Sequence, residues 1–130
     1  MLVLDASVVV PACRVEDGLR VLGDDELVAP HRMWSEARSV LHEAGWRREI
    51  DLQSALEAHT RLESAPIRAK TPARLGREAW RLADELGWAR TYDAEYVALA
   101  FLLGCRLVTL DGRLRRGADR LGFVVSPAEL

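Results

Sequence analysis

Residues 92–111, YDAEYVALAFLLGCRLVTLD, carry the strongest fold signal in this chain. The run from Val97 to Leu103 is continuously apolar, which is typical of a helix buried on all sides, and Gly104 is expected to end that helix. The next segment, Arg106–Leu110, predicts a short buried strand that ends at Asp111. A helix that leads into a buried strand is the repeating step of an α/β sheet. Ligands of open α/β sheets bind beyond the carboxyl ends of the strands, where Asp111 would lie.

Length and composition limit the class of protein. The chain has 130 residues and is 49% hydrophobic, enough for one domain over residues 1–130 to bury a core without staples. Cys13 and Cys105 lie in apolar runs without a C-x-x-C spacing, so they are interpreted as reduced core residues. No apolar run approaches the roughly 18 residues that span a membrane, and the first residues lack the basic region of a secretion signal. We therefore expect a cytoplasmic protein that does not insert into a membrane.

The charged residues indicate phosphate recognition on a small scale. The formal net charge of −2 argues against a protein that coats DNA, yet every basic residue except Lys70 is an arginine. The planar fork of arginine suits phosphate groups. Arg113, Arg115 and Arg116 directly follow Asp111, so they are candidate phosphate contacts, and the alternative is an ordinary solvated helix face.

Periodicity elsewhere predicts further helices and strands. Leu2–Leu4 predicts a buried strand that ends at Asp5, just as the later strand ends at Asp111. Two more short strands are predicted at residues 26–29 and 123–125. Helices are predicted at residues 7–13, 16–22, 32–44, from a cap at Asp51 onward, 73–86 and 113–121. Gly45 is expected to end the third of these helices, and residues 66–72 are interpreted as a connector.

Four acidic residues are expected to meet at one edge of this sheet. Each acid also allows an ordinary interpretation: Asp5 and Asp93 as helix N-caps, and Asp111 with Gly112 as a turn. Glu36 would then be a residue at the border of an apolar helix face. Together they would repel one another unless a cation lay among them. Hard oxygen ligands favour Mg²⁺ or Mn²⁺.

Four motifs carry a resemblance to a known family. They are LVLDAS at residues 2–7, SEARSVL at 35–41, TYDAEYVALA at 91–100 and LVTLDGRL at 107–114. In this order and at these spacings, the chain resembles the PIN-domain family, and more narrowly the VapC-type toxins of toxin–antitoxin pairs. The resemblance implies an α/β fold with a central parallel sheet of about four to five short strands flanked by helices. It also implies a metal-dependent ribonuclease activity.

The resemblance also implies which residues form the site. The acidic quartet of the family falls on Asp5, Glu36, Asp93 and Asp111, and its small hydroxyl residues fall on Ser7 and Thr109. Many members place an Asp or Asn a few residues after the last acid, but residues 112–116 contain neither. A second metal site would therefore have fewer ligands, and we expect one metal.

Phosphodiester cleavage needs a nucleophile at neutral pH and neutralisation of the charge that develops on the phosphoryl oxygens, and a carboxylate-held Mg²⁺ supplies both. Asp5 and Asp93 are expected to bind the metal, with Asp111 as a ligand directly or through water. Glu36 is expected to act as a water-mediated ligand or as the base that orients the attacking water. Mn²⁺ is a possible substitute for Mg²⁺. The expected partners are RNA, a second copy in a homodimer, and a cognate VapB-type antitoxin whose C-terminal segment crosses the acidic groove.

Two other functions compete with the ribonuclease. A Mg²⁺-dependent phosphatase of the haloacid dehalogenase type would have a second Asp two residues after Asp5, where this chain has Ser7. A PIN-like module that binds RNA or a protein without cleaving it would keep the same acids. The three histidines lack the paired spacing of a zinc site, and the four tryptophans are interpreted as core or interface residues.

Overall fold

A computed structural model describes all 130 residues and contains a five-stranded parallel sheet. The strands are β1 Leu2–Leu4, β2 Leu27–Ala29, β3 Ile67–Ala69, β4 Arg106–Val108 and β5 Val124–Val125. Their order across the sheet is β3-β2-β1-β4-β5, and every neighbouring pair is parallel. Leu4 pairs with Val108, so the carboxyl ends of β1 and β4 lie side by side at the centre of the sheet. The predicted fold class is confirmed.

Six helices flank the sheet. They are α1 Ala6–Cys13, α2 Arg32–Trp46, α3 Leu52–Ser64, α4 Leu75–Leu86, α5 Tyr92–Leu103 and α6 Gly112–Ala118, with short 3₁₀ helices at Gly18–Leu22, Asp119–Leu121 and Pro127–Glu129. None of the helices combines the length and the apolar character needed to traverse a bilayer.

The core lies on both faces of the central strands. Every residue of β1 is buried, and so are Tyr96–Ala100 of α5, whose backbone runs through the interior. A helix enclosed in this way must be apolar on all sides, which explains why the sequence of α5 lacks a polar face. Cys13 and Cys105 are both free thiols, Cys13 buried and Cys105 half-buried, which confirms that they form no disulfide.

The connector predicted at residues 66–72 is wrong, because this segment contains β3. Ile67 is the only buried residue of this strand, while Arg68 and Ala69 are exposed. β3 pairs only with β2, at the edge of the sheet. An edge strand with one buried side chain between Pro66 and Pro72 has no apolar run to mark it.

Several predicted boundaries also differ from the structure, most of them by one or two residues. The strand predicted to reach Leu110 ends at Val108, because Thr109 turns its hydroxyl towards Asp5. The helix predicted at residues 16–22 is only a 3₁₀ helix that starts at Gly18. The helix predicted at residues 113–121 begins at Gly112 and tightens into a 3₁₀ helix at Asp119.

The prediction that Gly45 ends α2 is wrong. Gly45 lies buried inside the last turn of this helix. A methyl group on Gly45 would lie 3.0 Å from the Cβ of Ala55 on α3. Gly45 therefore serves close packing between α2 and α3 rather than helix termination.

We expect Gly45→Val to lower the free energy of unfolding by about 1–3 kcal/mol, because the branched side chain overpacks the contact between α2 and α3. Thermal or urea denaturation would measure the loss. Gly76→Val is the matched control, since Gly76 lies in a helix where an added Cβ meets no atom within 4 Å. Equal losses in the two variants would contradict the packing role of Gly45.

Candidate active site

The centre of the site is Asp5, which follows β1 and is 4% exposed. Ser7 donates a hydrogen bond of 2.5 Å to Oδ1 of Asp5, and Thr109 donates one of 2.5 Å to Oδ2. Each hydroxyl oxygen in turn accepts a hydrogen bond from a backbone amide. The amide of Leu110 donates to Ser7 at 2.8 Å, and the amide of Asp111 donates to Thr109 at 3.0 Å. The loop after β4 thereby points both hydroxyl protons at the Asp5 carboxylate.

The buried environment of Asp5 disfavours the negatively charged form of its carboxyl group. Burial raises the pKa of Asp5 to about 6, although the hydrogen bonds from Ser7 and Thr109 oppose this shift. Asp5 occupies the N-cap position of α1, as its ordinary interpretation held, but its side chain makes no capping hydrogen bond and points to Ser7 and Thr109 instead. Two donors aimed at a buried carboxylate are the arrangement expected where a cation completes the charge balance.

Asp93 lies in the first turn of α5 at the wall of an open groove that it shares with Asp111. The N-cap position of α5 is Thr91, so the interpretation of Asp93 as the cap is wrong. Burial, followed by the charges of Asp111 and Glu36, raises the pKa of Asp93. Neither carboxylate oxygen of Asp93 accepts a hydrogen bond from the protein, so both are free to bind a ligand.

Glu36 is fixed by two donors. The hydroxyl of Tyr96 donates a hydrogen bond of 2.8 Å to its Oε2, and Nη2 of Arg32 donates one of 3.2 Å to the same oxygen. Its Oε1 accepts no hydrogen bond from the protein. Glu36 is close enough to Asp5 and Asp93 for its charge to raise the pKa of each.

Asp111 is the N-cap of α6, whereas its ordinary interpretation from the sequence was that of a turn residue. Its Oδ1 accepts hydrogen bonds from the amides of Arg113 at 2.9 Å and Leu114 at 3.3 Å. Its other oxygen has no partner within the protein. Asp111 can therefore cap the helix and present one oxygen to the groove at the same time.

The four acids lie near the carboxyl ends of the central strands, but their side chains do not converge on a single metal-binding position. No three side chains of His, Cys, Asp or Glu lie close enough to hold one ion. Part of the reason is local: one oxygen of Asp111 caps α6, and Glu36 is bound by Arg32 and Tyr96. The donor set contains carboxylates and hydroxyls and no Cys or His. In type it fits Mg²⁺ or Mn²⁺.

The three arginines after Asp111 differ in their surroundings. Arg113 lines the groove, and its charge lowers the pKa of Asp93. Arg115 makes a bidentate ion pair with Glu129 at 2.5 and 2.7 Å, so it would have to leave that pair to contact a phosphate. Arg116 is exposed and lays its guanidinium against Gly112, at the start of α6.

Two residues of the site, Arg32 and Tyr96, were not anticipated from the sequence. Arg32 lies four residues before Glu36 on α2, a spacing that predicts an ion pair and could have revealed Arg32. Tyr96 is sixty residues from Glu36, and only the packing of α5 beside α2 brings its hydroxyl to this carboxylate. No sequence pattern signals that contact.

Comparisons with known proteins agree with one another. The family profile described as PIN domain matches residues 2–120. VapC ribonuclease Mb0985 of Mycobacterium bovis is 34% identical over 119 residues, which cover 88% of this chain and 88% of that protein. Ribonuclease VapC9 of Mycobacterium tuberculosis matches with the same identity and coverage. The crystal structure of PAE2754 from Pyrobaculum aerophilum aligns with a TM-score of 0.77 and 22% identity, covering 98% of this chain and 90% of that one.

Proposed function

The chain belongs to the PIN-domain family, and from this premise we propose that it is a metal-dependent endoribonuclease, the toxin of a VapBC-type toxin–antitoxin pair. The observation that carries the proposal is the buried Asp5 carboxylate, held by Ser7 and Thr109 at the ends of the two central strands. Glu36 lies near enough to raise the pKa of both Asp5 and Asp93, and Asp111 also raises the pKa of Asp93. Residues 1–130 are taken to act as one domain. The ribonuclease relatives support the substrate class.

The carboxylates are proposed to bind a divalent ion. Asp5 and Asp93 would hold Mg²⁺ or Mn²⁺, and the free oxygen of Asp111 would bind it directly or through water. When bound, the ion supplies Lewis-acid stabilisation of the phosphoryl oxygens and lowers the pKa of the attacking water. Ser7 and Thr109 hold Asp5 in one rotamer, so that its position is set before the substrate arrives.

Glu36 is proposed to orient the attacking water. Arg32 and Tyr96 bind its Oε2 and so fix the side chain, which leaves Oε1 to accept a hydrogen bond from water. The water oxygen adds to phosphorus and gives up a proton to the solvent, the bond from phosphorus to the leaving oxygen breaks, and that oxygen takes up a proton from the solvent. No side-chain nucleophile is required.

A cleavage assay tests this function against its two competitors. The purified protein should cut a pool of single-stranded RNA in Mg²⁺ or Mn²⁺ and should stop in excess EDTA. A phosphatase would instead release phosphate from a monoester such as p-nitrophenyl phosphate, and a binding module would retain RNA without cutting it. Cleavage that persists in excess EDTA would refute the metal-dependent mechanism.

A VapB-type antitoxin is the proposed protein partner. Its basic side chain would reach the acids, and its apolar side chains would cover the groove between α2 and α3. This groove, of about 400 Å³, exposes Trp46, Leu52 and Leu56, which are 79%, 72% and 60% exposed. Trp34, another tryptophan of α2, is half-buried against the core and does not line the groove, so it is not available for this contact. We also propose a homodimer, which light scattering would detect.

Co-expression with a cognate antitoxin should yield a stable complex that does not cleave RNA. We expect Trp46→Ala to weaken this complex by about 2 kcal/mol or more, because large aromatic side chains dominate such interfaces. Calorimetric titration would measure the loss, with Trp80→Ala on α4 as the control for removing an exposed tryptophan. Equal affinities for wild type and Trp46→Ala would place the antitoxin elsewhere. Binding that survives charge reversal of the antitoxin's basic residues would refute the contact with the acids.

A further inference from the structure

An open groove of about 710 Å³ extends from the acidic site along the start of α5 and the loop before it. Asp93 and Asp111 form its acidic end. Its wall also includes four basic or aromatic side chains that no step of the cleavage mechanism uses. These are Trp88, Arg90, Tyr92 and Arg113.

Three arginines line this groove, and two of them form no ion pair, although Asp93 and Asp111 line it as well. The third, Arg32, is paired with Glu36. Nine arginines of the chain form ion pairs within 4 Å. Arg90 and Arg113 form none, and both are exposed. Arg113 is near enough to Asp93 to lower its pKa without pairing with it. Two unpaired guanidinium groups beside a phosphodiester-cleaving centre are suited to the phosphates on either side of the cleaved bond.

Tyr92 offers a surface for a base. Its side chain is 56% exposed, and the guanidinium of Arg32 lies over its ring at 4.4 Å from the centroid. Arg32 forms an ion pair with Glu36, so its guanidinium is fixed against one side of the Tyr92 ring. The remaining surface of the ring is exposed to solvent. Aromatic rings held in this way are the usual stacking partners of unpaired bases.

Trp88 closes the groove on the side of α6. Its indole packs so tightly on Gly117 that an added Cβ there would lie 2.8 Å from the indole Cζ2. The ring is half-buried and lines the same groove as Tyr92. Trp88 therefore forms a fixed wall whose fluorescence can report on a bound base.

We propose that this groove, bounded by Trp88, Arg90, Tyr92 and Arg113, is the subsite for an unpaired nucleotide next to the scissile phosphate. Arg90 and Arg113 bind its phosphates, and its base stacks on Tyr92. A double helix does not fit the proposal, because a base can reach Tyr92 only when it is unstacked from its neighbours. The subsite depends on the proposed ribonuclease function for its meaning but binds RNA without the metal.

The test is RNA binding in EDTA, where cleavage cannot intervene. The probe is a fluorescent eight-nucleotide oligouridylate, and an RNA duplex of the same length is the comparison. We expect the Arg90→Gln/Arg113→Gln variant to reduce the slope of log K against log salt concentration by about 1.4, since each single-strand phosphate contact contributes about 0.7. Tyr92→Leu should weaken binding roughly 5- to 150-fold. Arg77→Gln, which removes an exposed and unpaired arginine on α4, should change neither quantity.

Tryptophan emission supplies a second, independent measurement. Binding of the oligouridylate should quench the tryptophan fluorescence of the wild-type protein. The Trp88→Phe variant should lose that quenching, whereas the Trp80→Phe variant should keep it. An unchanged salt slope in the double arginine variant, equal affinity for the duplex, or quenching that survives Trp88→Phe would each overturn the subsite. Absence of cleavage in Mg²⁺ would refute the proposed function alone, because these binding measurements do not involve the metal.

Discussion

Asp93→Asn is expected to lower the rate of Mg²⁺-dependent RNA cleavage by more than about 100-fold. Loss of a residue that only supports a metal ligand already costs 10- to 100-fold in affinity or activity, and Asp93 is proposed to touch the ion itself. Its two oxygens make no hydrogen bond within the protein, so the substitution should leave the fold intact. Initial cleavage rates at saturating Mg²⁺ and circular dichroism would measure the two effects.

Asp84→Asn is the matched control for this prediction. Asp84 lies exposed on α4, forms no ion pair, and loses the same charge on substitution. Its cleavage rate should equal that of the wild type. Full activity of Asp93→Asn would end the mechanism proposed for the acids, whereas equal losses in both variants would show that the overall charge, and not a metal ligand, sets the rate.

Without the metal, the contribution of Asp5 to the free energy of unfolding should fall as the pH rises from about 4 to about 6. Burial raises the pKa of Asp5 from 3.8 to about 6, so the folded chain keeps a proton that the unfolded chain has lost. A raised carboxyl pKa therefore destabilises the fold with rising pH, and the penalty levels off above the folded pKa. For Asp5 the shift corresponds to roughly 3 kcal/mol. Urea denaturation in EDTA at several pH values would measure it.

Asp5→Asn provides the comparison that isolates this group. Other acids act in the opposite direction: Arg115 lowers the pKa of Glu129 to about 2, so that pair gains stability as the pH rises through the acidic range. Subtracting the curve of Asp5→Asn from that of the wild type removes such contributions. Parallel curves would show that Asp5 carries no burial penalty. Mg²⁺ at pH 7 should stabilise the wild type by RT ln(1 + [L]/Kd) and stabilise Asp5→Asn less.

The central strands and the buried helix were predictable because each bears a continuous apolar run. β1 is buried throughout, β4 is buried at Leu107 and Val108, and α5 is buried without interruption over Tyr96–Ala100; burial on both faces requires such runs. β3 could not be predicted, since an edge strand with a single buried residue leaves no pattern. Gly45 misled for a different reason: glycine marks helix ends and close helix contacts alike, and only the position of α3 distinguishes them.

Sequence motifs identified the acids of the candidate site, but only the fold determines which of their oxygens accept hydrogen bonds from the protein. The sequence places Asp5 and Asp111 at strand ends, and parallel strands bring those ends together. It does not reveal that Arg32 and Tyr96 occupy one oxygen of Glu36, or that Asp111 spends one oxygen on capping α6. These contacts depend on side-chain orientation across separate elements. They decide which oxygens remain for a metal.

The most decisive measurement is the anomalous diffraction of Mn²⁺ in crystals grown or soaked with that ion. We predict one Mn²⁺ bound by carboxylate oxygens of both Asp5 and Asp93, with the free oxygen of Asp111 within direct or water-bridged reach. The same crystals of Asp93→Asn should show the peak much reduced. A Mn²⁺ ion bound away from Asp5 and Asp93, or an equal peak in Asp93→Asn, would contradict a metal site shared by these acids.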